Sequence, residues 1–230
     1  DEVFLKVQFL LGHDMPWAKQ GYPQFEEQLL VASPSVAAPA ISQVAENAGK
    51  LEVSADADKA FQTIKGEGFE VQFDMKQGTI NKLVYGGESV IVPGYGPRLN
   101  AFRAFVSNDN WCYQPWFANG LHNLKHHAEN AQVIKEKNGN VKITCTVVSQ
   151  APNAARLQSK NGRYDSGIHT LEENTDRPFG ADDFKFTTNQ IWTIYPDGSI
   201  ELQAAITSNN PGIVLARLGY EMGVPAQYDR

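Results

Sequence analysis

Along most of the chain apolar and polar residues alternate in short runs, and a period of two over four to eight residues predicts β-strands. Val3 to Leu11 and Phe25 to Val31 form a first pair of such runs, separated by a loop from Gly12 to Gln24 that holds Pro16, Gly21 and Pro23. A pair of strands is marginal in water by itself, so these two must dock on something else. Residues 33–50 carry Pro34, Ala37, Ala38, Pro39 and Ala40 with little apolar bulk, which predicts an extended linker. Beyond it the runs recur about every ten residues: Leu51 to Ser54, Ala60 to Lys65, Phe69 to Met75, Ile80 to Tyr85 and Ser89 to Val92. Glycines 66, 68, 78, 86 and 87 punctuate them. Short strands with glycine turns and no alternating helices argue for an all-β, antiparallel sandwich or barrel.

Two later hairpins are sharper. Val133 to Lys137 and Val141 to Val148 flank Asn138-Gly139, a pair that supplies the positive φ angles of a tight turn. Gln190 to Tyr195 and Ser199 to Ile206 flank Pro196-Asp197-Gly198, where proline fixes φ and glycine closes the turn. A single helix is expected, over Pro115 to Asn130, with Trp116, Leu121, Leu124 and Ala128 as its apolar positions. Ser149 to Asp183 is polar and reads as a long loop.

Length then bounds the core. A chain of 230 residues, 42% of them hydrophobic, buries roughly 70% of its unfolded surface in one large domain and needs no staples. With 20 basic against 26 acidic residues, a net charge of −6 and no Lys/Arg cluster, the chain lacks the electrostatic footprint of a nucleic-acid binder. Val3 to Leu11 is interrupted by Lys6 and Gln8 and falls far short of the ~20 residues of a membrane helix. The opening Asp1-Glu2 is no secretory leader, so any leader is expected to precede this numbering. Cys112 and Cys145 are the only cysteines, and they fit two buried thiols or one disulfide, with the thiols favoured.

Three stretches carry a family resemblance. Trp17-Ala18-Lys19-Gln20-Gly21 with Gln28 resembles the turn that closes the immunoglobulin-like fourth domain of family 2 β-galactosidases. Phe69 to Arg103, leading into Gly96-Pro97-Arg98-Leu99-Asn100-Ala101-Phe102-Arg103-Ala104, is similar to the start of their fifth domain. Leu215-Ala216-Arg217-Leu218-Gly219 resembles a later strand of that domain.

The resemblance implies that residues 1–32 end the immunoglobulin-like domain, 33–50 link, and 51–230 form part of an antiparallel supersandwich of the galactose mutarotase kind. It also implies an excised fragment, because in the family a further strand would follow Arg230. A fragment of this kind leaves unpaired strand edges, so self-association through them is expected. The rest of the parent polypeptide and a β-galactoside or related carbohydrate are the implied partners. The resemblance points to a soluble bacterial protein and leaves cytoplasm and periplasm both open.

Glycoside hydrolysis with retention needs two carboxyl groups about 5 Å apart. In the family these lie on a barrel, and no eightfold βα pattern occurs here. The acidic doublets Glu26-Glu27, Glu172-Glu173 and Asp182-Asp183 would point to opposite faces of a strand and read as solvated surface. No catalytic residue, cofactor or metal ligand is therefore expected in this segment. The resemblance instead implies a rim: the family's Arg-Ala-Pro-x-Asp-Asn-Asp loop leans toward the active site, and here it reads Arg103-Ala104-Phe105-Val106-Ser107-Asn108-Asp109. Arg103, Ala104, Asn108 and Asp109 match, while Phe105 and Ser107 depart. Arg103, Asn108, Asp109 and the following Trp111 are the candidate substrate-adjacent residues, because charged groups can hold a sugar hydroxyl and an aromatic face can take pyranose C–H bonds. The bland alternative is that Arg103 and Asp109 pair structurally while Tyr113, Trp116 and Phe117 fill the core.

His122 and His126 stand four apart, the spacing of a helical zinc pair, but the glutamate of His-Glu-x-x-His is absent. The favoured reading is a noncatalytic piece of a glycoside hydrolase. A free-standing sugar-binding module is the alternative. An aldose epimerase using His126-His127 is disfavoured because they fall in the helix-like stretch, not at a strand end.

Overall fold

The computed structural model describes residues 3–32, 49–159 and 169–228. Residues 33–48 of the expected linker lie outside them. The chain divides into two compact units, Asp1–Gln43 and Val44–Arg230.

In the first unit, β1 (Val3–Leu10) pairs antiparallel with β2 (Pro23–Ala32). The ribbon exposes Phe4, Phe9, Phe25 and Leu30, all about half open to solvent. Its loop is fixed by Asp14, whose carboxylate accepts from Lys19 Nζ at 2.7 Å and from the Gln20 amide at 2.9 Å.

The second unit is an all-β sandwich. Five strands form one antiparallel sheet: β3 (Glu52–Ala55), β4 (Phe61–Gly66), β5 (Phe69–Asp74), β6 (Thr79–Tyr85) and β7 (Glu88–Ser89). After the short β8 (Arg98–Asn100) and the helix α1 (Tyr113–Ala118) comes β9 (Lys125–Lys135), then β10 (Val141–Gln150), β11 (Asn153–Ser159), β12 (His169–Pro178), β13 (Phe186–Ile194), β14 (Ile200–Ser208) and β15 (Gly219–Glu221). The second sheet runs β14-β13-β10-β9, and two ribbons, β11-β12 and β15-β8, complete the unit.

Alternation along the strands builds the core. In β5 the side chains of Phe69, Val71 and Phe73 are buried, and in β10 those of Val141, Ile143, Cys145 and Val147. These residues belong to one apolar cluster with Ile64, Ile80, Trp192 and Ile194, so the two sheets pack face to face. Phe73 and Trp192 meet edge to face across the interface, with ring centroids 5.7 Å apart. A second cluster gathers Leu99, Tyr113, Trp116, Phe117, Leu121, Phe184 and Phe186.

Both hairpins are present. Gly139 holds φ +92° between β9 and β10, and Gly198 closes the β13-β14 turn through its amide to the Tyr195 carbonyl at 3.0 Å. Cys112 and Cys145 are buried free thiols, and burial pushes the Cys145 thiol up to about 11.

Three expectations need correction. Pro115 to Asn130 is not one helix: α1 stops at Ala118, a 3-10 turn covers Leu121–Asn123, and β9 begins at Lys125. Ser149 to Asp183 is not loop alone, since β11 and β12 pair within it; residues 160–168 lie outside the described ones. The run expected over Ser89 to Val92 yields only the two-residue β7. Among the described residues, no helix is long and apolar enough to cross a membrane.

Candidate functional site

Between β8 and α1 the chain makes a loop whose shape depends on one carboxylate. Asp109 closes a 3-10 turn, Ser107–Asp109. It accepts from Arg103 Nη1 at 2.7 Å, from Arg103 Nη2 at 3.0 Å and from the Val106 amide at 2.7 Å. Two parallel bonds from one guanidinium make a fork that fixes orientation as well as distance. The Arg103 guanidinium beside Asp109, helped by the Val106 amide, holds this carboxyl below its usual range. Arg103 also donates to the Ala104 carbonyl and lies 5.7 Å from the Trp116 ring centroid.

The aromatics that follow divide into two groups. Tyr113, Trp116 and Phe117 are buried; Trp116 donates its indole N–H to the Val214 carbonyl at 2.7 Å, and Phe105 stacks on Tyr113 with centroids 4.4 Å apart. Trp111 is the opposite case, 74% exposed at the tip of the loop. Asn108 is exposed beside it. Of the four residues singled out in the sequence, the structure thus joins Arg103 to Asp109 as a brace and presents Asn108 and Trp111 to solvent. The Asp109 carboxylate is thus committed to three donors, which fixes the loop.

The acidic doublets are engaged elsewhere. Glu26 pairs with Lys6 at 2.8 Å, Glu172 with Arg156 at 2.8 Å and Asp183 with Arg177 at 2.9 Å. Among the described residues no group of three or more His, Cys, Asp and Glu side chains is placed to hold a metal ion. His122 lies in the 3-10 turn and His126 in β9, so the helical pair weighed for zinc does not form. The same finding removes the ground on which His126-His127 was set aside, for both stand at the start of a strand.

The model of the family described as "Beta galactosidase small chain" matches residues 65–230. The chain belongs to that family. A beta-galactosidase of Psychromonas ingrahamii is 32% identical over 114 residues, which covers 47% of this chain and 10% of that relative. The match thus takes in about a tenth of the relative's length. Membership agrees with the all-β sandwich, and the braced loop lies inside the matched residues.

Sequence reasoning missed a second polar group. Arg98, Asn100, His122, His126 and Glu221 line one cleft. Arg98 and Asn100 were visible in the Gly-Pro-Arg run and the histidines in their spacing. Glu221 carried no signal, since only the pairing of β15 with β8 brings it there.

Proposed function

We propose that this chain is a noncatalytic segment of a β-galactosidase-like glycoside hydrolase acting on terminal β-galactosides, serving as scaffold and as part of the active-site rim. In this reading Arg103, Asn108, Asp109 and Trp111 form the rim. The observation that carries it is the braced loop: a bidentate Arg103–Asp109 pair holds a short turn that offers Trp111, 74% exposed, as an apolar platform. An exposed indole offers a flat apolar face with a polar N–H at its edge, and a pyranose face fits that chemistry.

The remaining domains of the parent polypeptide are the partners of this reading. Residues 1–32 would end a preceding immunoglobulin-like domain whose other strands cover the apolar ribbon faces of β1 and β2. The catalytic pair of carboxyl groups would lie on another domain.

Two measurements test the proposal. The chain alone is expected to release no aryl alcohol from an aryl β-galactoside, and saturable hydrolysis that survives repurification overturns the noncatalytic reading. In the longer enzyme, Trp111→Ala is expected to raise KM about threefold to tenfold with little change in kcat, the mark of lost binding common to ground and transition states. An unchanged KM removes Trp111 from the rim.

A further inference from the structure

The packed face of the four-stranded sheet is apolar along most of its length and carries three buried polar residues toward the Ser149–Phe186 end. Inward positions on β10 run Val141, Ile143, Cys145, Val147 and then Ser149. On β13 they run Phe186, Thr188, Gln190, Trp192 and Ile194. Register sets Gln190 opposite Cys145 and Thr188 opposite Val147. Ser149, Thr188 and Gln190 are 0%, 1% and 4% exposed, so a buried polar belt separates the two apolar clusters.

Buried hydroxyls and amides cost stability unless they are hydrogen-bonded. Gln190 meets this by accepting from Trp192 Nε1 at 2.8 Å and donating to the Tyr220 hydroxyl at 3.1 Å. Ser149 Oγ lies 2.9 Å from His126 Nδ1. Thr188 Oγ1 has no partner among the described residues. It borders a small void of about 10 Å³ that His126, Ser149 and Gln190 also line, close to the least volume that holds one water.

His126 is where the belt reaches the surface. There it joins a cleft of about 160 Å³ bordered by Arg98, Asn100, Phe102, His122 and Glu221. Local structure brings these together. The β8-β15 ribbon sets Arg98 opposite Glu221, His126 is the second residue of β9, and His122 lies on the turn just before it.

Several polar atoms of the cleft are uncommitted. Asn100 Nδ2 donates to Glu221 Oε2, which leaves Oε1. Arg98 donates to the Gly94 carbonyl at 3.2 Å and lies over the Tyr95 ring, keeping its other N–H groups. His126 Nε2 has no partner among the described residues; the two ring nitrogens of His122 have none either, but they are buried, with the ring packed against Phe102 and Phe117.

The charges select the ligand class. One guanidinium and one carboxylate cancel, and burial keeps both imidazoles uncharged near neutral pH, with His126 lowered to about 4. The cleft therefore prefers neither anions nor cations. It combines donors, acceptors and the His126 imidazole with the apolar ring of Phe102, which suits a small molecule carrying many hydroxyls on a C–H skeleton.

We propose that this cleft is a binding site for a neutral monosaccharide, held by Glu221, Asn100, Arg98 and His126, with His122 as part of its wall. The proposal goes beyond the rim reading and does not depend on it, since its lining excludes Arg103, Asn108, Asp109 and Trp111.

The experiment is histidine-detected NMR on the full chain with labelled imidazoles, titrated separately with D-galactose, D-glucose and inorganic phosphate. At least one sugar is expected to shift the His122 and His126 signals saturably with a Kd of roughly 1–10 mM, while His13 stays in place. Asn100→Ala and Glu221→Gln are each expected to weaken that binding about tenfold. Glu221→Gln keeps the side-chain shape, so a fold lost in the alanine variant leaves the question answerable. The proposal is overturned if neither sugar shifts both signals, if phosphate does so in place of the sugars, or if both variants bind like the unsubstituted chain. Hydrolysis of aryl galactosides does not enter the readout, so this result and that of the rim reading can fail separately.

Discussion

His126 carries its imidazole into a partly buried site, where desolvation outweighs every neighbouring charge and lowers its pKa to about 4. Arg98 and Lys125 push the same way, and Glu221 opposes them. The unfolded histidine titrates near 6.5, so between those values the unfolded chain holds more protons than the folded one. Stability is then fully present above about pH 6.5 and is lost as pH falls toward 4, by on the order of 2 kcal/mol after allowance for partial exposure. Urea melts from pH 7 to pH 4 check this, and His126→Gln is expected to flatten the slope over that window. Asp109 has the opposite chemistry with the same direction. Its depressed carboxyl contributes above the ordinary carboxylate range and loses that contribution under stronger acid. The Arg103–Asp109 pair was legible in the sequence because its members lie in one short run of known shape. The link from His126 to Ser149 was not, because the sequence pattern places His126 in a helix when it stands in β9 opposite Ser149, and Glu221 lies far along the chain, on β15.

The element misread in the sequence was the helix. Trp116, Leu121, Leu124 and Ala128 do fall at helix-like spacing, but Gly120 takes φ +69° and ends the turn. Its neighbours leave no room for a side chain: a Cβ there would lie 2.1 Å from Ala151 Cβ. Gly120→Ala is therefore expected to cost about 1–3 kcal/mol, read as a lower urea midpoint with unchanged m. Past that point β10 offers a ladder of hydrogen bonds to Lys125–Lys135, and pairing overrides a weak helical pattern. The β11-β12 ribbon escaped notice for a different reason. β12 is solvated along nearly all of its described length, and β11, although it buries Asn153 and Ala155, spends its inward positions on small or polar residues, so the apolar alternation that marks a half-buried sheet is weak; the cross-strand link is the exposed Arg156–Glu172 pair. The glycine-turned hairpins succeeded because their turns are local chemistry.

Across the molecule, stability rests on the contact between the two sheets of the second unit. Trp192 is 2% exposed and meets Phe73, which is 0% exposed, so Trp192→Ala is expected to cost about 3–5 kcal/mol in chemical denaturation. The first unit offers the contrary case. Phe4, Phe9, Phe25 and Leu30 are about half exposed on a two-stranded ribbon, and such ribbons recruit further strands. The isolated chain is expected to run above its 25.4 kDa monomer mass in light scattering, and a monomer at all concentrations would remove this expectation. The sequence by itself determined the class: period-two alternation, turn glycines and the Gly-Pro-Arg run settle an all-β member of this family, because strands and tight turns are encoded within a few residues. Tertiary structure alone decided which polar side chains share a cleft, since Glu221 and His126 meet only after β15 pairs with β8 beside β9. The physical reason is that pairing distant strands depends on burying both sheets at once, a condition no local window contains.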